Sequence, residues 1–152
     1  VVTSPDIMAA FCTSFRYFNT FGGNPVSCAA AMAVLDVLRD EHLQDNAHRI
    51  GALARDGLRK LAQKHECIGD VRGYGLFFGA ELVTDRVTKK PATRHATRVA
   101  NEMRRRGILM NKLGIHYNTL KIRPPMPFSA DNAAFMLETL DGVLTDLGPA
   151  RD

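Results

Sequence analysis

The chain first changes its hydrophobic period near residue 66, and that change limits what it can fold into. Before it, Leu43, Ala47, Ile50, Ala54, Leu58 and Leu61 recur at steps of three and four, while Arg49, Arg55 and Lys60 fall on other faces. This is the stripe of an amphipathic helix over residues 43–65. After it, the glycine-broken stretch 67–73 leads into residues 76–83, an aromatic and apolar run that reads as a strand. Residues 84–91 form a polar turn. A helix over 92–106 puts Ala96, Val99, Ala100 and Met103 on one face and stops at Gly107. Residues 108–110 read as a short strand, 111–118 as a loop and 119–123 as a strand ended by Pro124-Pro125. Ser129 caps a last helix to about Leu147, with Met136, Leu140, Val143 and Leu147 facing inward. One small sheet with helices packed on it satisfies this order, an α/β chain of the α+β kind.

The first 41 residues do not join that pattern. Ser4, Pro5 and Asp6 read as a cap, a first-turn proline and a first-turn acid for a helix to about Ser14. An aromatic connector, Phe15-Arg16-Tyr17-Phe18, leads to the turn-rich Asn19-Thr20-Phe21-Gly22-Gly23-Asn24-Pro25. A helix then runs from Pro25 to about Asp40. Its residues 27–33 are small all round, so it is expected to be buried. The expected division is residues 1–41, then a domain over 42–152. The opening Val1-Val2-Thr3-Ser4-Pro5 has no initiator Met and no basic-then-apolar leader, and reads as a cut inside a longer chain.

Composition excludes several classes. With 45% hydrophobic and 24% charged residues, the 152-residue chain is globular rather than disordered. No apolar run approaches the roughly 20 residues of a membrane span. The net charge of +4 is modest and spread out. Its densest cluster, Arg104-Arg105-Arg106, closes a helix, where cations suit the helix dipole, so it is read as a solvated helix end and not a nucleic-acid patch. Cys12, Cys28 and Cys67 are too few and scattered for a disulfide framework or a zinc site; no metal is expected. Cys12 and Cys28 read as small hydrophobes in apolar helices, and the compartment as reducing, hence cytoplasmic.

Local chemistry singles out residues 19–25. Paired glycines just before a helix start, with the Thr20 hydroxyl beside them, are a weak signal for a phosphate site. Taken alone, a tight turn between helices is the favoured reading of them. His42, His48, His65 and His95 read as solvated residues of polar helix faces. His116 and Tyr117 sit in a loop from which a substrate is within reach.

Three motifs in order carry a resemblance. Residues 17–31, with Thr20-Phe21-Gly22-Gly23-Asn24-Pro25 at their centre, resemble the class III aminotransferases of fold type I, which use pyridoxal phosphate (PLP). Val71-Arg72-Gly73-Tyr74-Gly75-Leu76-Phe77 is similar to that family's small-domain Arg-Gly-x-Gly-Leu stretch. Lys121-Ile122-Arg123-Pro124-Pro125-Met126 is similar to its late strand ending in Pro-Pro. The resemblance implies a C-terminal small domain preceded by a remnant of the large one. It implies a homodimer with a shared active site, in which Thr20 hydrogen-bonds the PLP phosphate of the neighbouring subunit. Phe21, Gly22 and Gly23 would bring the loop up to the cofactor, and Asn24 and Pro25 would start the helix. Arg72 reads as a structural arginine tying the two domains together.

Lys121 departs from the family's usual arginine, whose flat fork grips an α-carboxylate; lysine is a point charge. The wording around it and around residue 20 resembles the ethanolamine-phosphate and phosphohydroxylysine phospho-lyase branch. Lys121 then faces an anionic group of an amine or phospho-amine substrate, with Arg123 on the same strand face; a solvent-facing lysine is the other reading. The Schiff-base lysine of the family lies before the Thr20 motif, whereas Lys60, Lys64, Lys89, Lys90, Lys112 and Lys121 all follow it. This chain by itself is therefore expected to hold no catalytic lysine, to be inactive and to bind PLP poorly or not at all. A non-catalytic α/β binding or dimerisation module is the alternative function.

Overall fold

The computed structural model describes residues 3–151; Val1 and Val2, on which the reading of the chain's start rests, lie outside them. The chain divides into two compact units, residues 1–37 and 38–152. The first holds α1 (Pro5–Ser14) and most of α2 (Pro25–Asp40). Pro5 opens α1 behind Ser4, whose backbone is extended as a cap requires but whose side chain makes no cap bond. Phe11 stacks on Phe15 at 5.3 Å and meets Tyr17 edge-on at 6.1 Å.

No residue of α1 or α2 is buried, against the expectation for α2. Small side chains allow a close neighbour, but burial also needs a covering surface, and unit 1 supplies none. Cys12 and Cys28 are exposed for the same reason; Cys67 is the buried one, and burial pushes its thiol above the usual range.

The second unit is one sheet with three helices on one face. Its elements are α3 (Leu43–Lys64), β1 (Ile68–Tyr74), β2 (Phe77–Asp85), β3 (Lys90–Pro91), α4 (Thr93–Arg105), β4 (Asn111–Leu113), β5 (Thr119–Ile122) and α5 (Ala130–Leu147). The strand order is β1-β2-β5-β4, all pairs antiparallel, with β3 beside β2. Ile50, Ala54 and Leu58 of α3, Ala96, Val99 and Met103 of α4, and Met136, Leu140 and Val143 of α5 cover Phe78, Ala80, Leu82, Leu120 and Ile122. Ser129 caps α5 by accepting from the Asn132 amide at 3.1 Å.

Several sequence expectations are corrected. Residues 68–74 form a strand despite their glycines, because pairing with β2 satisfies their backbone and a bulge between Ile68 and Asp70 absorbs the irregularity. The strand expected at 108–110 lies at Asn111–Leu113. Ile108 packs on the core, but ladder pairing begins where Asn111 faces Lys121. His95 is buried, not solvated: it lies on the α4 stripe with Val99 and Met103. His65 is nearly covered, its Nε2 donating to Asp141 at 2.6 Å.

Candidate functional site

The loop before α2 is shaped by two asparagines. Asn19 Oδ1 accepts from the amides of Phe21 and Gly22, each at 3.1 Å. Asn24 caps α2 by accepting from the Ser27 amide at 2.9 Å, and its Nδ2 donates to the Phe21 carbonyl at 2.9 Å. Gly23 has φ +74°, a left-handed turn that favours glycine, and nothing stands within 4 Å of where its Cβ would be. The loop is thus cross-braced by Asn19 and Asn24 and open at Gly23. Asn19 takes two of the loop's amides; Thr20 is exposed, and its hydroxyl makes no hydrogen bond among the described residues. Phe21 is also exposed. This donor set fits a phosphate oxygen presented from outside the loop. All six lysines of the chain lie beyond unit 1.

The other candidate surface is the open face of the sheet in the second unit. Strand alternation sends Leu120 and Ile122 into the core and leaves Thr119 and Lys121 on the far side. Register then builds a row across four strands: Arg72 opposite Gly79, Gly79 opposite Lys121, Lys121 opposite Asn111. Arg72 is already neutralised. It donates to Asp70 at 2.7 Å and to Glu81 at 2.6 Å, bonds that hold its guanidinium charged. It ties β1 to β2 within this unit. Lys121 is half-buried, and its side chain makes no ion pair or hydrogen bond among the described residues. Gly79 leaves the strip between the two cations without a side chain.

Arg123 follows β5 and is exposed, its guanidinium 6.0 Å from the Phe77 ring centre on this same face. A groove of about 470 Å³ runs past Arg72, Tyr74, Phe77, Gly79, Thr119 and Lys121, a volume suited to a small ligand. His116 and Tyr117 do not line it; they lie at the β4–β5 tip, where the His116 carbonyl accepts from Thr93. Sequence reasoning missed Tyr74, Phe77 and Asn111 as neighbours of Lys121. Two-residue alternation gave a signal for each, but only the strand register joins them. Among the described residues no His, Cys, Asp and Glu cluster could hold a metal ion, and no helix is long and apolar enough to cross a membrane.

Residues 1–144 match the family model described as aminotransferase class-III. The chain is 47% identical over 141 residues to alanine–glyoxylate aminotransferase 2 homolog 2, mitochondrial, of Arabidopsis thaliana, covering 93% of this chain and 29% of that protein. It is 44% identical over 146 residues to ethanolamine-phosphate phospho-lyase homolog 1 of Caenorhabditis elegans, covering 95% of this chain and 31% of that protein. The chain thus spans under a third of the length of these relatives. Among solved structures, a phospholyase from Arthrobacter in complex with phosphoethanolamine superposes with TM-score 0.88 at 37% identity, over 96% of this chain and 35% of that one. A PLP-bound amine transaminase from an uncultivated Pseudomonas species gives TM-score 0.81 at 34% identity, over 91% and 31%. Sequence motifs, family model and superposition agree, and the chain belongs to the class III aminotransferase family of fold type I.

Proposed function

We propose that the full-length protein is a PLP-dependent enzyme of the phospho-lyase branch, acting on a small phosphorylated amine and releasing phosphate. The observation that carries this reading is Lys121: a half-buried cation with no counterion among the described residues, on a groove whose other central cation, Arg72, is already paired. A half-buried charge is stable when a partner arrives to pair it. A lysine ammonium suits a phosphate as a point charge, where the fork of an arginine suits a planar carboxylate. The resemblance to the phosphoethanolamine-bound phospholyase supports the same choice.

In this reading Thr20 donates its hydroxyl to the phosphate of PLP in the neighbouring subunit of a homodimer, at the loop that Asn19 and Asn24 cross-brace. Phe21, Gly22 and Gly23 shape that approach. When bound, PLP would supply an electron sink for the carbon that bears the amine. Lys121 holds the substrate's anionic end, Arg123 adds positive potential beside Phe77, and the Phe77 ring limits water on that side. The domain boundary is placed near residue 41, with the large-domain remnant before it. Three free cysteines support a reducing compartment, which we take to be the cytoplasm; cell fractionation tests this, since the Arabidopsis relative is mitochondrial by name.

Amino transfer is the second reading, favoured by the aminotransferase relative at 47% identity. Full-length enzyme incubated with ethanolamine phosphate is expected to release inorganic phosphate, and Lys121→Ala to raise the KM about tenfold. Amino-group transfer to a keto acid without phosphate release would establish the second reading instead.

A further inference from the structure

The open face of the sheet sets acids and bases in neighbouring rows. Ala80 and Leu82 point into the core, so Gly79 and Glu81 lie on the open side of β2. Asp70, Glu81 and Thr119 stand opposite one another across β1, β2 and β5. Two residues along the strands, Arg72, Gly79 and Lys121 do the same. Glu81 is therefore the diagonal neighbour of both cations, Arg72 on one side and Lys121 on the other. A side chain of its length reaches either diagonal. Gly79 puts no side chain between them. Plain charge matching gives Arg72 to Asp70 and Lys121 to Glu81.

The structure pairs them otherwise. Nη1 of Arg72 donates to both acids, to Asp70 Oδ2 at 2.7 Å and to Glu81 Oε2 at 2.6 Å. The other oxygen of Glu81 accepts from Asn118 Nδ2 at 3.3 Å. Asn118 is buried and fixed: Nδ2 also donates to the Leu82 carbonyl at 2.8 Å, and its backbone carbonyl accepts from the Leu82 amide at 2.8 Å. Both carboxylate oxygens of Glu81 are thus engaged by groups other than Lys121. Two carboxylates on one guanidinium repel each other, while the lysine beside them has no counterion among the described residues. Fastening the sheet does not explain this choice, because separate pairs would join β1 to β2 and β2 to β5 alike.

We infer that Glu81 sets the charge of the substrate groove, and that Arg72 and Asn118 are positioning residues that act through it. By holding the Glu81 carboxylate they keep Lys121 open to a substrate anion. This rests on the reading that Lys121 receives the substrate phosphate. A carboxylate of the same chain resting on Lys121 competes with that phosphate at high effective concentration. Apparent affinity then falls with the fraction of molecules whose lysine is open.

The test uses the full-length enzyme with ethanolamine phosphate as substrate and inorganic phosphate as a competing anion. Arg72→Met removes the guanidinium and frees Glu81. It is expected to raise the KM about fivefold, and the inhibition constant of phosphate with it, while kcat stays within about twofold of the parent. Adding Glu81→Gln removes the competing charge and should return both constants to within about twofold of the parent. A sheet damaged by the loss of Arg72 would not be repaired by a second substitution beside it. Constants that stay raised in the double variant, or that Arg72→Met leaves unmoved while Lys121→Ala raises them, would overturn the inference and leave the Lys121 reading standing. An unchanged KM in Lys121→Ala would overturn both. Should Arg72→Met fail to fold, Arg72→Gln, with and without Glu81→Gln, decides the matter by the same comparison.

Discussion

His65, at the end of α3, donates from Nε2 to Asp141 in the middle of α5 at 2.6 Å, and the neighbouring Lys64 donates to the other oxygen of the same carboxylate at 2.7 Å. One acid thus staples α3 to α5.

This staple sets a pH dependence. The bond from Lys64, then that from His65, holds the Asp141 carboxyl below the usual carboxylate range. A depressed carboxyl contributes stability that is fully present above its unfolded value, about pH 4, and is lost as pH falls through the lower folded value. The expected outcome is that Asp141→Asn lowers the Tm at neutral pH and that its gap to the parent closes below about pH 4. Thermal unfolding across pH 2 to 7 measures it. A gap that widened with acid would contradict the assignment.

The cap on α5 is separable from the core. Ser129 accepts from Asn132, satisfying one of the free amides of the first helical turn. Ser129→Ala is expected to cost about 1 kcal/mol, and Ser129→Asp almost nothing. Denaturant midpoints at constant m-value report the difference.

Leu120 links the core to the open sheet face. Its side chain is fully buried under the helices, and its neighbour in the strand is Lys121. Leu120→Ala is expected to cost about 3 kcal/mol through lost burial and the cavity left behind. Because β5 carries Lys121, the same variant should raise the substrate KM, measurable at a temperature where it remains folded.

Thr20 is predicted to act on cofactor retention. In the full-length protein, Thr20→Val keeps the shape of the side chain and deletes its hydroxyl. PLP should then be lost on dialysis at about tenfold lower free concentration of competitor, the value of one hydrogen bond to a charged group. The absorbance of retained cofactor measures this without an activity assay. Thr20→Ser should behave as the parent.

Helices were the legible part of this fold. The α3 stripe, the Ser129 cap and the Gly107 stop each state their structure locally, through periodicity or a single capping atom. The strands were less legible because a strand is defined by its partner. Residues 68–74 hold glycines and charges that argue against a strand until β2 lies alongside, and β4 begins at polar Asn111 rather than in the apolar residues before it. His95 shows the limit of residue type as a guide to burial: its place on the α4 stripe outweighs its polarity. The position of Lys121 on β5 was readable from alternation. Its lack of a counterion among the described residues was not, since that depends on Asp70 and Glu81 being drawn to Arg72 across two strands.

The sheet order also sets a timetable for synthesis. β5 lies between β2 and β4, yet it is translated a full helix and a hairpin arm after β2. At roughly 5–20 residues per second, the nascent β2 waits for seconds with one edge unpaired. During that interval the β1–β2 hairpin and α3 are the elements of this unit that have been translated, and any chaperone that serves this protein meets it with the Phe78, Ala80 and Leu82 face only partly roofed.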